Sequence, residues 1–170
     1  MFIGFVVVLL LLGCEEVENL LTFSINDHTT FRIASTTPLN LPLEIPTPEV
    51  TTNSQQEYEN NNTHADLVKD VKLEQLKLTI TDPATKTFSF LKTIRIYISS
   101  SQQNEIELAS LEDISAATGT LVLIPTKEKL DTYVRAASYS LRTEVITDET
   151  LTESIDVLVD LRFRVTADTF

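Results

Sequence analysis

The sequence predicts an all-β body, an antiparallel β-sandwich with one or two short helices, and two observations predict it. Ile155, Val157, Val159, Leu161, Phe163 and Val165 alternate with Asp156, Asp160, Arg162 and Arg164, and only Leu158 breaks the polar side. Such a sustained period of two is the mark of a half-buried strand. Helical periodicity is scarce, and no strand–long helix rhythm announces a parallel sheet. A chain of 170 residues, 42% of them hydrophobic, suffices for one core.

Taken in order, Leu21, Phe23 and Ile25 alternate with Thr22 and Ser24, and Phe31 and Ile33 alternate with Thr30 and Arg32. Between them Asn26-Asp27-His28 offers short polar side chains that bond their own backbone, so 20–35 is expected to be a β-hairpin. The segment 36–64 holds Pro38, Pro42, Pro46 and Pro48 and then an almost wholly polar run, which suits a linker or long loop. Leu39, Leu41, Leu43 and Ile45, spaced by two, give it one face to lay on the domain; Asn60-Asn61-Asn62 reads as a mobile tip. The β-sandwich domain is expected over 65–170, with 20–35 a candidate addition.

Within it, Leu76, Leu78 and Ile80 form a strand closed by Asp82-Pro83, and Ile94, Ile96 and Ile98 form the next. Ile106 and Leu108 mark a third, while Leu121–Ile124 is uninterruptedly apolar and expected to be buried on both faces up to Pro125. Tyr139, Leu141, Thr143 and Val145 alternate with Ser140, Arg142 and Glu144, and Thr147–Thr150 should join them to the last strand in a long antiparallel hairpin. Leu130, Tyr133 and Val134 have helical spacing, with Thr126 as the candidate N-cap, and Leu67, Val68 and Val71 suggest a second short turn. About eight short strands with little helix point to an immunoglobulin-like sandwich.

Composition excludes several functions. A net charge of -12 repels polyphosphate, so no nucleic acid partner is expected. Three glycines and no tryptophan leave little for phosphate-cradling loops or aromatic stacking platforms. His28 and His64 are the only imidazoles, nothing fixes either beside a serine, and no Gly-x-Ser-x-Gly turn exists, so no enzyme is expected. A single cysteine and two distant histidines do not assemble a zinc site. Asp148, Glu149 and Asp156, or Glu112 and Asp113, offer oxygens for calcium, but none has EF-hand spacing and solvated turn carboxylates are the simpler reading.

The run Phe2–Leu12 is uncharged and apolar, too short to cross a bilayer and of the length of a secretory signal. It ends in Leu11-Leu12-Gly13-Cys14, which resembles the lipobox of bacterial lipoprotein signal peptides. The resemblance implies a signal peptide over 1–13, cleavage before Cys14, and a covalent lipid on its thiol as the only attached group, with no other cofactor. Being the sole cysteine, Cys14 has no intramolecular disulfide partner. Glu15-Glu16-Val17-Glu18 then resembles the acidic export signal of small surface lipoproteins of the Bacteroidota. That resemblance makes 14–19 an acidic tether and implies an outer-membrane, lipid-anchored protein at the cell surface; the alternative is the periplasmic face, with Glu15, Glu16 and Glu18 merely solvating the tether. Residues 1–13 lack the Lys or Arg that opens secretory signals, so a start upstream of Met1 is expected.

Arg142, Arg162 and Arg164, with Arg135 near in sequence, are the one cationic concentration in an acidic chain. They are a candidate docking face for an acidic partner, against the simpler reading of cross-strand ion pairs. The function expected is a non-enzymatic lipoprotein held to the membrane by its lipid and binding another envelope protein, as an accessory subunit of an outer-membrane assembly. The alternative is a surface carbohydrate- or ligand-binding lipoprotein beside an uptake channel. Sugars stack on exposed aromatics, and outside the phenylalanines only Tyr58, Tyr97, Tyr133 and Tyr139 are available.

Overall fold

The strand most legible in the sequence, β9 (Ile155–Asp168), lies between β1 (Leu20–Ile33) and β4 (Val68–Asp82) and pairs antiparallel with both. The computed structural model describes residues 20–101, 103–115 and 117–169; Cys14, Glu15, Glu16 and Glu18 lie outside them. The other elements are β2 (Leu43–Pro46), β3 (Val50–Thr51), α1 (Ser54–Asn60), β5 (Leu91–Ser100), β6 (Gln103–Leu111), β7 (Thr120–Pro125), α2 (Asp131–Val134) and β8 (Ser138–Thr147). Single 3-10 turns occur at Ala65–Leu67 and Phe88–Phe90.

The hydrogen-bonded order is β1-β9-β4-β7-β6-β5-β8-β2, with β3 also on β8, and every pairing between these strands is antiparallel. Tyr139 of β8 meets Phe163 of β9 edge-on at 6.1 Å, although the two strands stand far apart in this order. The sheet therefore curls until its inner faces touch. The all-β antiparallel expectation, with short helices, holds in this form: one continuous curled path of strands.

Inward residues of β9 are flanked on both sides by apolar partners in register. Ile25, Phe163 and Leu73 form one row, and Phe31, Val157 and Ile80 another, all at most 5% exposed. Two bulges in β4 keep this inner face apolar by shifting the side-chain parity, between Val68 and Asp70 and between Leu73 and Gln75. Val71 and Leu73 point inward before the second bulge, and Leu76, Leu78 and Ile80 after it. Of Leu67, Val68 and Val71, whose spacing suggested a second short turn, Leu67 ends the 3-10 turn Ala65–Leu67, and the Val68–Val71 spacing is the first of these bulges.

β7 pairs with β4 through Thr120–Leu123 but with β6 only through Ile124 and Pro125. The α2 segment occupies the rest of that interval. The Leu130 N–H donates to the Val71 carbonyl at 2.8 Å, the Tyr133 hydroxyl to that of Asn104 at 2.7 Å, and the Arg135 guanidinium to that of Val68 at 2.5 Å. Strand carbonyls left without a ladder partner thus find donors.

Several expectations are corrected. Residues 20–33 are one strand and no hairpin, because odd-numbered residues point inward without a break through Asp27, leaving Asn26 and His28 outside. Strands β8 and β9 form no hairpin, since β9 has its edges on β1 and β4 and β8 has its own on β5 and β2–β3. Residues 36–64 are not a free linker: β2 and β3 line β8, and Asn61 closes α1, its side-chain amide donating to the Glu57 carbonyl at 2.8 Å. Val122 and Ile124 are 54% and 66% exposed, so β7 is buried on one face only. Thr126 does not cap α2; its hydroxyl reaches the Glu107 and Leu108 carbonyls at 3.0 and 3.2 Å, and Leu130 takes the cap position.

Two substitutions test this core by urea denaturation. Leu76→Ala, in register between Leu161 and Leu123, should lower the unfolding free energy by about 2–5 kcal/mol. Thr143→Val should raise it by about 0.5–1 kcal/mol, because the buried Thr143 hydroxyl finds no hydrogen-bond partner among the described residues.

Candidate functional site

The arginines singled out in the sequence do not converge. Since the inner faces of β8 and β9 meet at Tyr139 and Phe163, the outer-face Arg142 of β8 and Arg162 and Arg164 of β9 point to opposite sides of the body. Each is engaged by acids on neighbouring strands. Glu74, the extra residue at the second β4 bulge, bonds Arg164 and lies 3.0 Å from Arg162. Those contacts, the Arg164 hydrogen bond first, hold its carboxyl below the usual carboxylate range.

Arg142 is the more elaborate centre. Its Nε and Nη2 donate to Glu105 at 2.9 and 2.6 Å, its Nη1 donates to Glu44 at 2.9 Å, and its guanidinium lies 4.1 Å over the Tyr97 ring. Glu44 and Glu144 face each other in register across β2 and β8, a like-charge pair that Arg142 bridges at 2.9 and 3.9 Å. The Arg142 hydrogen bond pulls the Glu105 carboxyl down, and that pairing pushes the guanidinium up. This is cross-strand charge compensation.

A different residue, read in the sequence as part of a turn, forms the buried polar centre. Asp27 sits where the row of Leu161 and Leu76 would take an apolar side chain, at 7% exposure. Tyr139, itself 1% exposed, donates its hydroxyl to Oδ2 of Asp27 at 2.9 Å. Thr51 and Asn53 stand beside Asp27 around a small hollow. Burial pushes the Asp27 carboxyl up against the pull of the Tyr139 hydrogen bond, and burial and the adjacent carboxylate push the Tyr139 phenol up. The unbroken inward parity of 21–33 is the sequence signal that would have found Asp27.

On the outer face of β1, β9 and β4, Asn26, His28, Gln75, Lys77, Asp160 and Arg162 line a shallow depression of about 330 Å³. Of its charged groups, Lys77 lies 3.5 Å from Asp160, and Arg162 lies 3.0 Å from Glu74 outside the depression. His64 lies at the start of the Ala65–Leu67 turn, distant in sequence from His28. Of the calcium candidates, Asp156 pairs with Arg32 at 3.2 Å and Glu112 with Arg95 at 2.5 Å. Among the described residues no group of three or more His, Cys, Asp or Glu is arranged to hold a metal ion. Tyr58, Tyr133 and Tyr139 are buried, and Arg142 covers Tyr97.

No family model matches the chain, and no curated protein is found to match its sequence.

Two measurements test these assignments. A folded-state carboxyl value above the ordinary 3.8 means that Asp27 contributes most below that value and loses its contribution as pH rises through the elevated one. Urea unfolding across pH should show the native protein losing stability relative to Asp27→Asn from about pH 4 upward, whereas parallel curves would remove the assignment. Arg142→Ala should cost about 1–2 kcal/mol, with Arg142→Lys intermediate and the loss shrinking in 1 M salt.

Proposed function

We propose that this chain is a lipid-anchored, non-enzymatic envelope lipoprotein that binds another protein as an accessory subunit of an outer-membrane assembly. The observation that carries the reading is Leu11-Leu12-Gly13-Cys14 at the end of an uncharged apolar run, followed by Glu15, Glu16 and Glu18. In this reading Cys14 carries the lipid, and each buried acyl methylene contributes about 0.8 kcal/mol to membrane attachment. The acidic tether favours the cell surface over the periplasmic face.

Tether length supports the same picture. Only residues 15–19 separate Cys14 from Leu20, where β1 begins, so the start of the folded body is held within about 20 Å of the acylated sulfur. A body on so short a leash meets partners that are themselves at the membrane. The charged groups described above are spent on cross-strand pairing rather than gathered in a reactive cleft, which favours binding over chemistry. Burial of three tyrosines and the cover over the fourth weigh against a sugar-stacking platform.

Cys14→Ser should move the protein out of the membrane fraction and abolish labelling by an alkyne-palmitate probe. Retention of the unlabelled variant in the membrane would refute the anchor. Mild-detergent affinity isolation of the acylated protein should recover a stoichiometric envelope partner; recovery of the protein alone would refute the accessory role.

A further inference from the structure

Between β1 and β2 the chain forms a tip at one end of the body. Pro46 and Pro48 stand beside Thr30–Arg32, and Thr51 and Asn53 beside Asn26–His28, so β2 and β3 descend along β1 from its Ile33 end. Leu39 and Leu41 precede β2 and therefore lie at that end. The length of β1, about 40 Å, separates them from Leu20, where the body meets residues 14–19.

The backbone of this tip is fastened while its leucines face water. The Asn40 N–H donates to the Thr147 carbonyl at 2.7 Å, the Thr147 hydroxyl to the Pro38 carbonyl at 3.1 Å, and the Thr37 hydroxyl to the Ala34 carbonyl at 2.6 Å. Asn40 adopts a left-handed φ of 56°, and Pro38 and Pro42 restrict the chain on either side of it. Held in this way, Leu39 and Leu41 are 43% and 58% exposed. Asp148 and Glu149 follow Thr147 directly, both are exposed, and neither carboxylate has an ion-pair partner among the described residues.

We propose that the tip Pro38–Pro42 is the surface by which the chain docks on its envelope partner, and that the partner offers an apolar pocket rimmed by lysine or arginine. The inference rests on the accessory role proposed above and names its contact. Two apolar side chains on a backbone already fixed lose little freedom on binding. Asp148 and Glu149 beside them supply the charge that selects a basic rim. The same carboxylates oppose other occupants, because a two-fold axis through the tip would bring them against their own copies and anionic headgroups would repel them.

Photo-crosslinking and affinity isolation of the acylated full chain from detergent-solubilised membranes test this. With p-benzoylphenylalanine in place of Leu41, irradiation should join the chain to the protein that co-isolates with the unaltered form. The same probe in place of Val122, exposed on β7, should not. Leu39→Asp combined with Leu41→Asp should lower recovery of that protein roughly tenfold or more, at unchanged membrane attachment and urea midpoint. Asp148→Lys combined with Glu149→Lys should lower it comparably and abolish its sensitivity to salt. Full recovery with either double variant, or crosslinks from position 41 to lipid or to a second copy alone, would overturn the tip and leave the accessory role standing. An unaltered protein that isolates alone would overturn both.

Discussion

The inward stripe of β9 is the interaction on which the remaining strands depend. Its residues Ile155, Val157, Val159, Leu161, Phe163, Val165 and Ala167 are all at most 2% exposed, and no turn residue or bulge interrupts their period. A strand so completely apolar on one face must have that face covered along its whole length. β1 and β4 extend the layer sideways in register, and β8 folds over it until Tyr139 rests on Phe163. The curl follows from this need, because an open sheet would leave the stripe in water.

Parity explains what the sequence disclosed and what it concealed. β9 and β8 were legible because each keeps one parity throughout, so that counting by twos is enough. β4 changes parity at its bulges, which made its first half look helical and hid Glu74 as the residue that would sit between Arg162 and Arg164. β1 was cut in two for the opposite reason: Asn26-Asp27-His28 has the composition of a turn, yet its parity never changes. Partner choice was less legible still. That β8 and β9 face each other rather than pair depends on which edges other strands occupy, and nothing local to either strand encodes that.

The charged residues followed the same division. Composition drew notice to Arg142, Arg162 and Arg164, and their neighbours on the folded sheet supply the acids that engage them. Their separation onto opposite sides of the body depends on the curl, which charge patterning does not report. Asp27 was visible as a polar residue but not as a buried one, since its partner Tyr139 comes from a distant part of the chain. Prolines that argued for a loose linker instead stand in and beside β2, which lines β8.

The direction in which β1 runs has a mechanical consequence. Leu20 pairs with Asp168 and Ile33 with Ile155, so a pull on the amino-terminal end of β1 along its axis, against a body held at its far end, loads the whole β1–β9 ladder in shear. Fourteen register pairs would resist together, whereas a sideways pull would peel them off singly. A domain tugged through its first strand is in that way built to bear tension.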